Sequence, residues 1–310
     1  MIRSLSILLP TYNCFCGRLV KTLQEQCRGI AAEDGAFSYE IVVADDCSTD
    51  RSYVAANSTI ERLDGVRYIR LDSNIGRSAI RNFLARESRL EWLLFIDGDL
   101  QVEDSCFIRK YASVDCSADT VVVGGIAIGG DAVQWRHNLR WLYEKRCEPA
   151  HTARQRQVLA SREFRTTNFL VPRDAVLRHP FDEHFLHYGY EDVLFGKGLC
   201  SGGYSILHID NPVVLDDFEP NGIFVAKTEE ACRTLMEFSS QLRSYSTLLD
   251  TVLKIRRLHA NGIFTFIYWL LGKSIRRNLC SRKPSVRLFN VYKLLYCNAI
   301  LQNRSSAIQK

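Results

Sequence analysis

Asp97-Gly98-Asp99 puts two carboxylates one residue apart, directly behind the apolar run Trp92–Ile96. Like charges at the end of a buried strand repel each other and lose hydration, so keeping them together calls for a neutralising cation. Mg2+ and Mn2+ take carboxylate oxygens and share their remaining positions with substrate phosphates. Asp97 and Asp99 are therefore candidate metal ligands. Asp-Gly turns are common, and only the place behind a strand gives this triplet weight.

Three further groups carry chemistry. In Asp45-Asp46-Cys47-Ser48-Thr49-Asp50, Ser48 or Thr49 is expected to cap a helix from Arg51, with Asp50 in its first turn. That leaves Asp45 and Asp46 to accept hydrogen bonds from a base N–H or a ribose hydroxyl. In Asn74-Ile75-Gly76-Arg77, a glycine before a helix lets backbone approach a ligand closely. Arg77 and Arg81 stand one helical turn apart and can face an anion, though a surface helix start would read the same way. Glu191-Asp192 follows the aromatic loop His187-Tyr188-Gly189-Tyr190 at a helix start. A carboxylate there stays ionised and can act as a general base on a hydroxyl; helix capping explains it equally well.

The elements that must position these groups alternate. Apolar runs at Ser4–Leu9, Glu40–Ala44, Gly65–Leu71 and Trp92–Ile96 are expected strands, and Arg18–Arg28, Arg51–Leu63 and Gly76–Arg89 expected helices. Such alternation predicts a mostly parallel sheet covered by helices on both faces. Thr11-Tyr12-Asn13, Asp45-Asp46, Asp72 with Asn74, and Asp97-Gly98-Asp99 each follow one of these strands. Ligands of open α/β sheets bind outside the carboxyl ends of the strands, so these groups should line one crevice. Further on, a helix is expected at Trp135–Arg146, strands at Thr166–Val171 and Tyr204–Ile209, and a helix at Asp192–Cys200 ended by Gly202-Gly203. The rest reads as helix: Ala226–Leu249, Leu249–Leu258, an apolar stretch Gly262–Gly272, and two helices split at Pro284.

The 310 residues are 46% hydrophobic and 24% charged, an ordinary globular balance that argues against wholesale disorder. The net charge of +5 hides an asymmetry: residues 251–310 hold 12 of the 40 Lys and Arg and none of the 35 Asp and Glu. A basic tail suits an anionic membrane surface or, more weakly, nucleic acid; a helix packed on the body with a basic outer face, or a dimer contact, are the other readings. The 11 cysteines include no C-x-x-C, and with only a short apolar run after Arg3 in place of a secretory signal they read as free thiols of a cytoplasmic protein. No apolar stretch approaches the ~20 residues of a membrane span.

Taken together, Pro10-Thr11-Tyr12-Asn13, Asp45-Asp46-x-Ser48-x-Asp50, Asn74-x-Gly76 with Ala79, Arg81 and Asn82, Asp97-x-Asp99, Thr166-Thr167-Asn168-Phe169 and Gly189-x-Glu191-Asp192 resemble family 2 glycosyltransferases in order and spacing. The resemblance spans roughly residues 4–220 and, with His208 through Pro212 and Pro284 through Leu294, points to a bacterial polysaccharide or surface-glycan type. It implies a GT-A fold, Rossmann-like, in a catalytic domain of residues 1–222, with 1–130 the nucleotide-binding half, 131–222 the acceptor half, and 223–310 a basic helical extension. It implies an inverting transfer from a nucleoside-diphosphate sugar, UDP by default, to a glycan or lipid-linked acceptor. Pro10, Thr11, Tyr12, Asp45 and Asp46 would hold base and ribose, and Gly76, Arg77 and Arg81 would lie near base or phosphates. Asp97 would face the ribose, Gly98 and Asp99 the diphosphate with its Mn2+ or Mg2+. Asp192 would be the base and Glu191 would position the acceptor. Relatives often carry a metal-binding His after the Asn-Pro, where this chain has Leu215; Asp216, Asp217 and His208 are the nearest substitutes. A nucleotidyltransferase would show a Gly-rich basic loop after the first strand, where Thr11-Tyr12-Asn13-Cys14-Phe15 stands. A nucleotide-sugar-binding protein with a degenerate site is the non-enzymatic alternative. The expected location is the cytoplasm, on the inner face of the membrane through 251–310; nucleic acid is not expected as a partner, and an oligomer is compatible with the sequence.

Overall fold

The computed structural model describes residues 2–185 and 187–308, with side chains to 302. Among the described residues nine strands form: β1 (Ser4–Thr11), β2 (Ser38–Asp45), β3 (Val66–Arg70), β4 (Trp92–Ile96), β5 (Thr120–Val123), β6 (Ile126–Ile128), β7 (Asn168–Pro172), β8 (Ser205–His208) and β9 (Val213–Leu215). The main sheet runs β3-β2-β1-β4-β7-β5-β8, and β6 with β9 makes a small second sheet. All its pairings are parallel except those of β7, which is antiparallel to β4 and β5.

The first four strands fall where the apolar runs predict them. Leu5, Ile7, Leu8 and Leu9 are all fully buried, so β1 is covered on both faces and cannot show the alternation of a half-exposed strand. One side of the sheet closes over Phe95, Phe169, Phe181 and Phe195 with Leu84 and Leu199; Phe95 and Phe169 stack at 4.9 Å between centroids.

Several expected elements differ. The helix at Trp135–Arg146 is two helices, Ala132–Trp135 and Leu139–Cys147, because the Asn138 side chain accepts the Trp141 N–H at 2.9 Å and caps a new start. The helix from Ala226 to Leu249 ends at Glu237 and restarts at Thr247, with Ser244 left-handed (φ 67°) and Ser246 accepting the Leu249 N–H. The apolar stretch Gly262–Gly272 belongs to one helix running Asn261–Leu279, followed by Val286–Ile308. At Arg51, neither Ser48 nor Thr49 is the cap: Asp50 accepts the Ser52 N–H at 2.8 Å.

The chain forms two compact units. The first holds Met1–Gly129, Ala150–Leu186 and Glu191–Asp217; the second holds Gly130–Pro149, His187–Tyr190 and Phe218–Lys310. Within the second unit Leu139 and Tyr143 pack with Ile275, Leu279, Phe289 and Tyr292.

Candidate active site

Every residue singled out for donor chemistry lies at the carboxyl end of β1, β2 or β4, or at the start of the helix Arg77–Glu87, within the first unit. The β1–β2 register sets Thr11 beside Asp45. The Thr11 carbonyl accepts the Asp46 N–H at 2.9 Å, and the Pro10 carbonyl accepts the Gly98 N–H at 3.3 Å. Three strand ends are thus tied by backbone before any side chain acts. Gly98 has no room for a side chain: a Cβ would stand 2.4 Å from Thr11 Cγ2 and 3.1 Å from the Pro10 carbonyl oxygen.

Asp45 and Asp46 take different parts. Asp45 is fully buried and has partners for both oxygens, the Ser48 N–H at 2.7 Å and the Tyr68 hydroxyl at 2.5 Å. Its carboxylate thereby shapes the turn after β2. Tyr68, which sequence reasoning missed because it sits inside a weakly patterned strand, is part of this machinery; burial and the Asp45 carboxylate push its hydroxyl pKa upward. Asp46 accepts the Ile75 N–H at 2.7 Å and the Gly76 N–H at 3.0 Å, one on each oxygen. Burial raises its pKa despite those two bonds. Gly76 (φ 87°) permits the turn that aims both amides at Asp46. The Tyr12 and Ile75 side chains are exposed.

The two arginines expected to face an anion face carboxylates of the protein itself. Arg81, 2% exposed, binds Asp97 at 2.5 Å and donates to the Arg77 carbonyl at 3.0 Å. Arg77 Nε binds Glu191 at 2.7 Å, and Glu191 is 6% exposed. Glu191 opens the helix Glu191–Ser201, so this pair fastens that helix to the helix Arg77–Glu87. Burial acts to raise Glu191, but Arg77 and Arg81 outweigh it and hold the carboxyl below its ordinary value. Asp192 is raised, first by burial and then by the Glu191 charge, with Arg165 and Arg77 opposing. Arg165, just before β7, is a second residue the sequence did not reveal.

Asp99 is exposed on the turn after β4. Its neighbour Cys14 is pushed up to about 12 by burial and by Asp99, which leaves an unreactive thiol. Leu215 is buried in β9, paired with Ile128. His208 is buried, with Nε2 on the Ala160 carbonyl at 2.9 Å, so it serves the core. Asn168 and Asn82 are also structural: Asn168 bonds Tyr111 and the Gly125 and Asn211 carbonyls, and Asn82 holds Phe181 and Glu183. Among the described residues no group of three His, Cys, Asp or Glu is arranged to hold a metal. The donor set still fits an ion carried by substrate. Arg81 is paired with Asp97, and Asp99, exposed on its turn, is a carboxylate of the kind a phosphate-bound Mg2+ or Mn2+ takes from protein. Two surface cavities of about 410 Å3, one at Thr22–Ile30 and one at Arg178–Ser201, include none of these residues.

Residues 6–183, more than half the chain, match the family model "Glycosyl transferase family 2". An "Uncharacterized glycosyltransferase" of Haemophilus influenzae is 32% identical over 108 residues, a match covering 34% of this chain and 31% of that protein. Among solved structures, S. aureus TarS 1-349 in complex with UDP-GlcNAc is similar over 96% of this chain and 91% of its own at 18% identity, TM-score 0.51. Mannosyltransferase PcManGT from Pyrobaculum calidifontis, in complex with GDP-Man and Mn2+, is similar over 98% and 88% at 14% identity, TM-score 0.54. At such identities the likeness speaks for the fold.

Proposed function

The chain belongs to glycosyl transferase family 2 and is a GT-A glycosyltransferase, and from that premise we propose that it transfers a sugar, with inversion, from a UDP-sugar to a hydroxyl of a glycan or lipid-linked acceptor. The observation that carries this reading is the joining of the two halves of the chemistry by ion pairs: Arg81 with Asp97 and Arg77 with Glu191 bind the donor motifs to the motif that supplies the base.

In this reading the nucleotide base lies between Tyr12 and Ile75, with its ring on the exposed Tyr12. Asp46 holds the Ile75-Gly76 backbone in place and meets a base N–H or ribose hydroxyl with its remaining lone pairs. Asp97, neutralised by Arg81, faces the ribose. Asp99 would hold the divalent ion, which when bound would spread the negative charge of the diphosphate. The acceptor hydroxyl attacks the anomeric carbon in line. Its proton passes to Asp192, the C–O bond to the diphosphate breaks, and the nucleoside diphosphate leaves with the electron pair. A raised pKa suits Asp192 to this task, since a base titrating nearer the working pH accepts the proton more readily. One displacement with one base requires no nucleophilic carboxylate. The cysteines, all free, fit the reducing cytoplasm where nucleotide sugars are made.

Thermal unfolding with UDP, GDP and dTDP, each with and without Mn2+, tests the donor. UDP with Mn2+ is expected to stabilise the protein, by ~2.7 kcal/mol at a hundredfold excess over Kd, and Asp99→Ala to abolish the gain from Mn2+. No shift with any nucleotide would overturn the reading.

A further inference from the structure

The helix Asn261–Leu279 has two apolar faces. One, with Phe264, Ile267, Tyr268, Ile275 and Leu279, packs into the core of the second unit. The other is open: Ile263 is 64% exposed, Phe266 59%, Trp269 75% and Leu270 58%. These four recur at i, i+3, i+6 and i+7, so they form one stripe, and Phe266 and Trp269 stack at 6.0 Å within it. A helix already seated by one face has no folding reason to leave four large apolar side chains on the other, and contiguous exposed apolar patches mark contact surfaces. The outer face is therefore not the basic one the composition alone suggests.

Charge frames the stripe. Lys273 and Arg277 continue it toward the carboxyl end, and Arg257 is exposed just before its start. Arg276 is committed to Glu229 at 2.7 Å. No Asp or Glu occurs anywhere in 251–310. We propose that this stripe is a monotopic membrane anchor: the helix lies flat on an anionic lipid surface, with Ile263, Phe266, Trp269 and Leu270 below the headgroups and Lys273, Arg277 and Arg257 against the lipid phosphates. This deepens the reading of a lipid-linked acceptor, which a surface-bound enzyme would meet in two dimensions.

The chemistry selects lipid over the other occupants. Among the described residues no helix is long and apolar enough to cross a membrane, but an amphipathic helix needs only to sink about 5–10 Å. Trp with its amphipathic ring favours that depth, and basic side chains gain near anionic headgroups. A second copy seated on the same face would bring two acid-free basic segments together, which like-charge repulsion opposes.

The test is sedimentation of the full chain with vesicles of phosphatidylglycerol and phosphatidylcholine in equal parts, with vesicles of phosphatidylcholine alone, and without lipid. The expected result is binding to the anionic vesicles that weakens with salt, and at least about a tenfold weaker partition in Phe266→Ser/Trp269→Ser. UDP-induced stabilisation of that variant should equal wild type, which separates failure of docking from failure of the donor reading or of folding. Absence of wild-type binding, or binding unchanged in the double variant, would overturn the proposal. So would a wild-type dimer by light scattering that the double variant loses while its vesicle binding stays the same.

Discussion

Arg77 and Glu191 lie 114 positions apart and meet at 2.7 Å, guanidinium Nε to carboxylate oxygen. The pair is asymmetric in its surroundings: the Glu191 side chain is 5% exposed and that of Arg77 is 44% exposed. Water screens the arginine, so the pair itself adds little to stability. Glu191, however, would lose its nearest counter-charge in Arg77→Ala. That variant should lose roughly 1–3 kcal/mol, the cost of a buried acceptor left short of a partner. Glu191→Gln should lose less, because a neutral amide needs no counter-charge. Urea denaturation of both variants checks the order; equal losses would mean that Glu191 is held mainly by something other than Arg77.

Arg81 and Asp97 form the more enclosed pair, with side-chain exposures of 2% and 16%. Removing one member leaves a charge the fold has desolvated, and Arg81→Ala should destabilise by about 3–5 kcal/mol. Arg81→Met, which keeps most of the volume but loses the charge and the bond to the Arg77 carbonyl, should still lose nucleotide-induced stabilisation, since the unneutralised charge of Asp97 would then oppose the anionic nucleotide. Nucleotide stabilisation preserved in a folded Arg81→Met variant would show that neutralising Asp97 is irrelevant to the donor.

The sequence made the frame legible because β1, β2 and β4 are continuous apolar runs, each ending at an abrupt polar group. β5, β6 and β9 escaped notice for a physical reason: at three or four residues they are too short for a period to register. The site was legible as a set of residue types but not as pairs. Arg77 and Arg81 looked like a double anion site, since one-turn spacing says only that two side chains share a helix face. Their partners, Glu191 and Asp97, are chosen by packing of elements distant in sequence. The partner of Asp45 is of the same kind: Tyr68 comes near it only through the β2–β3 register.

Gly98 links strand packing to donor binding. In Gly98→Ala the new methyl meets Thr11 Cγ2 at 2.4 Å, and overpacking of this kind costs about 1–3 kcal/mol. Thr11→Ser removes the obstructing methyl. The double variant Gly98→Ala/Thr11→Ser should therefore recover part of the loss, with the 3.1 Å approach to the Pro10 carbonyl keeping it below wild type. Denaturation of the four proteins in the cycle checks this, and strictly additive losses would refute the contact.

Asp192 and Glu191 should separate in their pH behaviour. Asp192 is raised above 3.8 by burial, with the Glu191 charge adding to the shift. The folded protein therefore holds that proton more tightly than the unfolded chain, and the stability Asp192 contributes below pH 3.8 is lost as pH rises through its folded value. Glu191, lowered from 4.5 by the arginines, contributes stability above pH 4.5 that is lost as pH falls through its folded value. With Asp192 as the proposed base, activity should follow Asp192 alone, because only its ionised form would accept the acceptor's proton. The acid limb of kcat/KM should thus lie above the ordinary aspartate range and move to lower pH in Glu191→Gln, where the repelling charge is gone. Asp192→Asn should lose about 10²–10⁴ in kcat while keeping the stabilisation by UDP with Mn2+. A limb that does not move in Glu191→Gln, with Asp192→Asn still active, would assign the base to another residue.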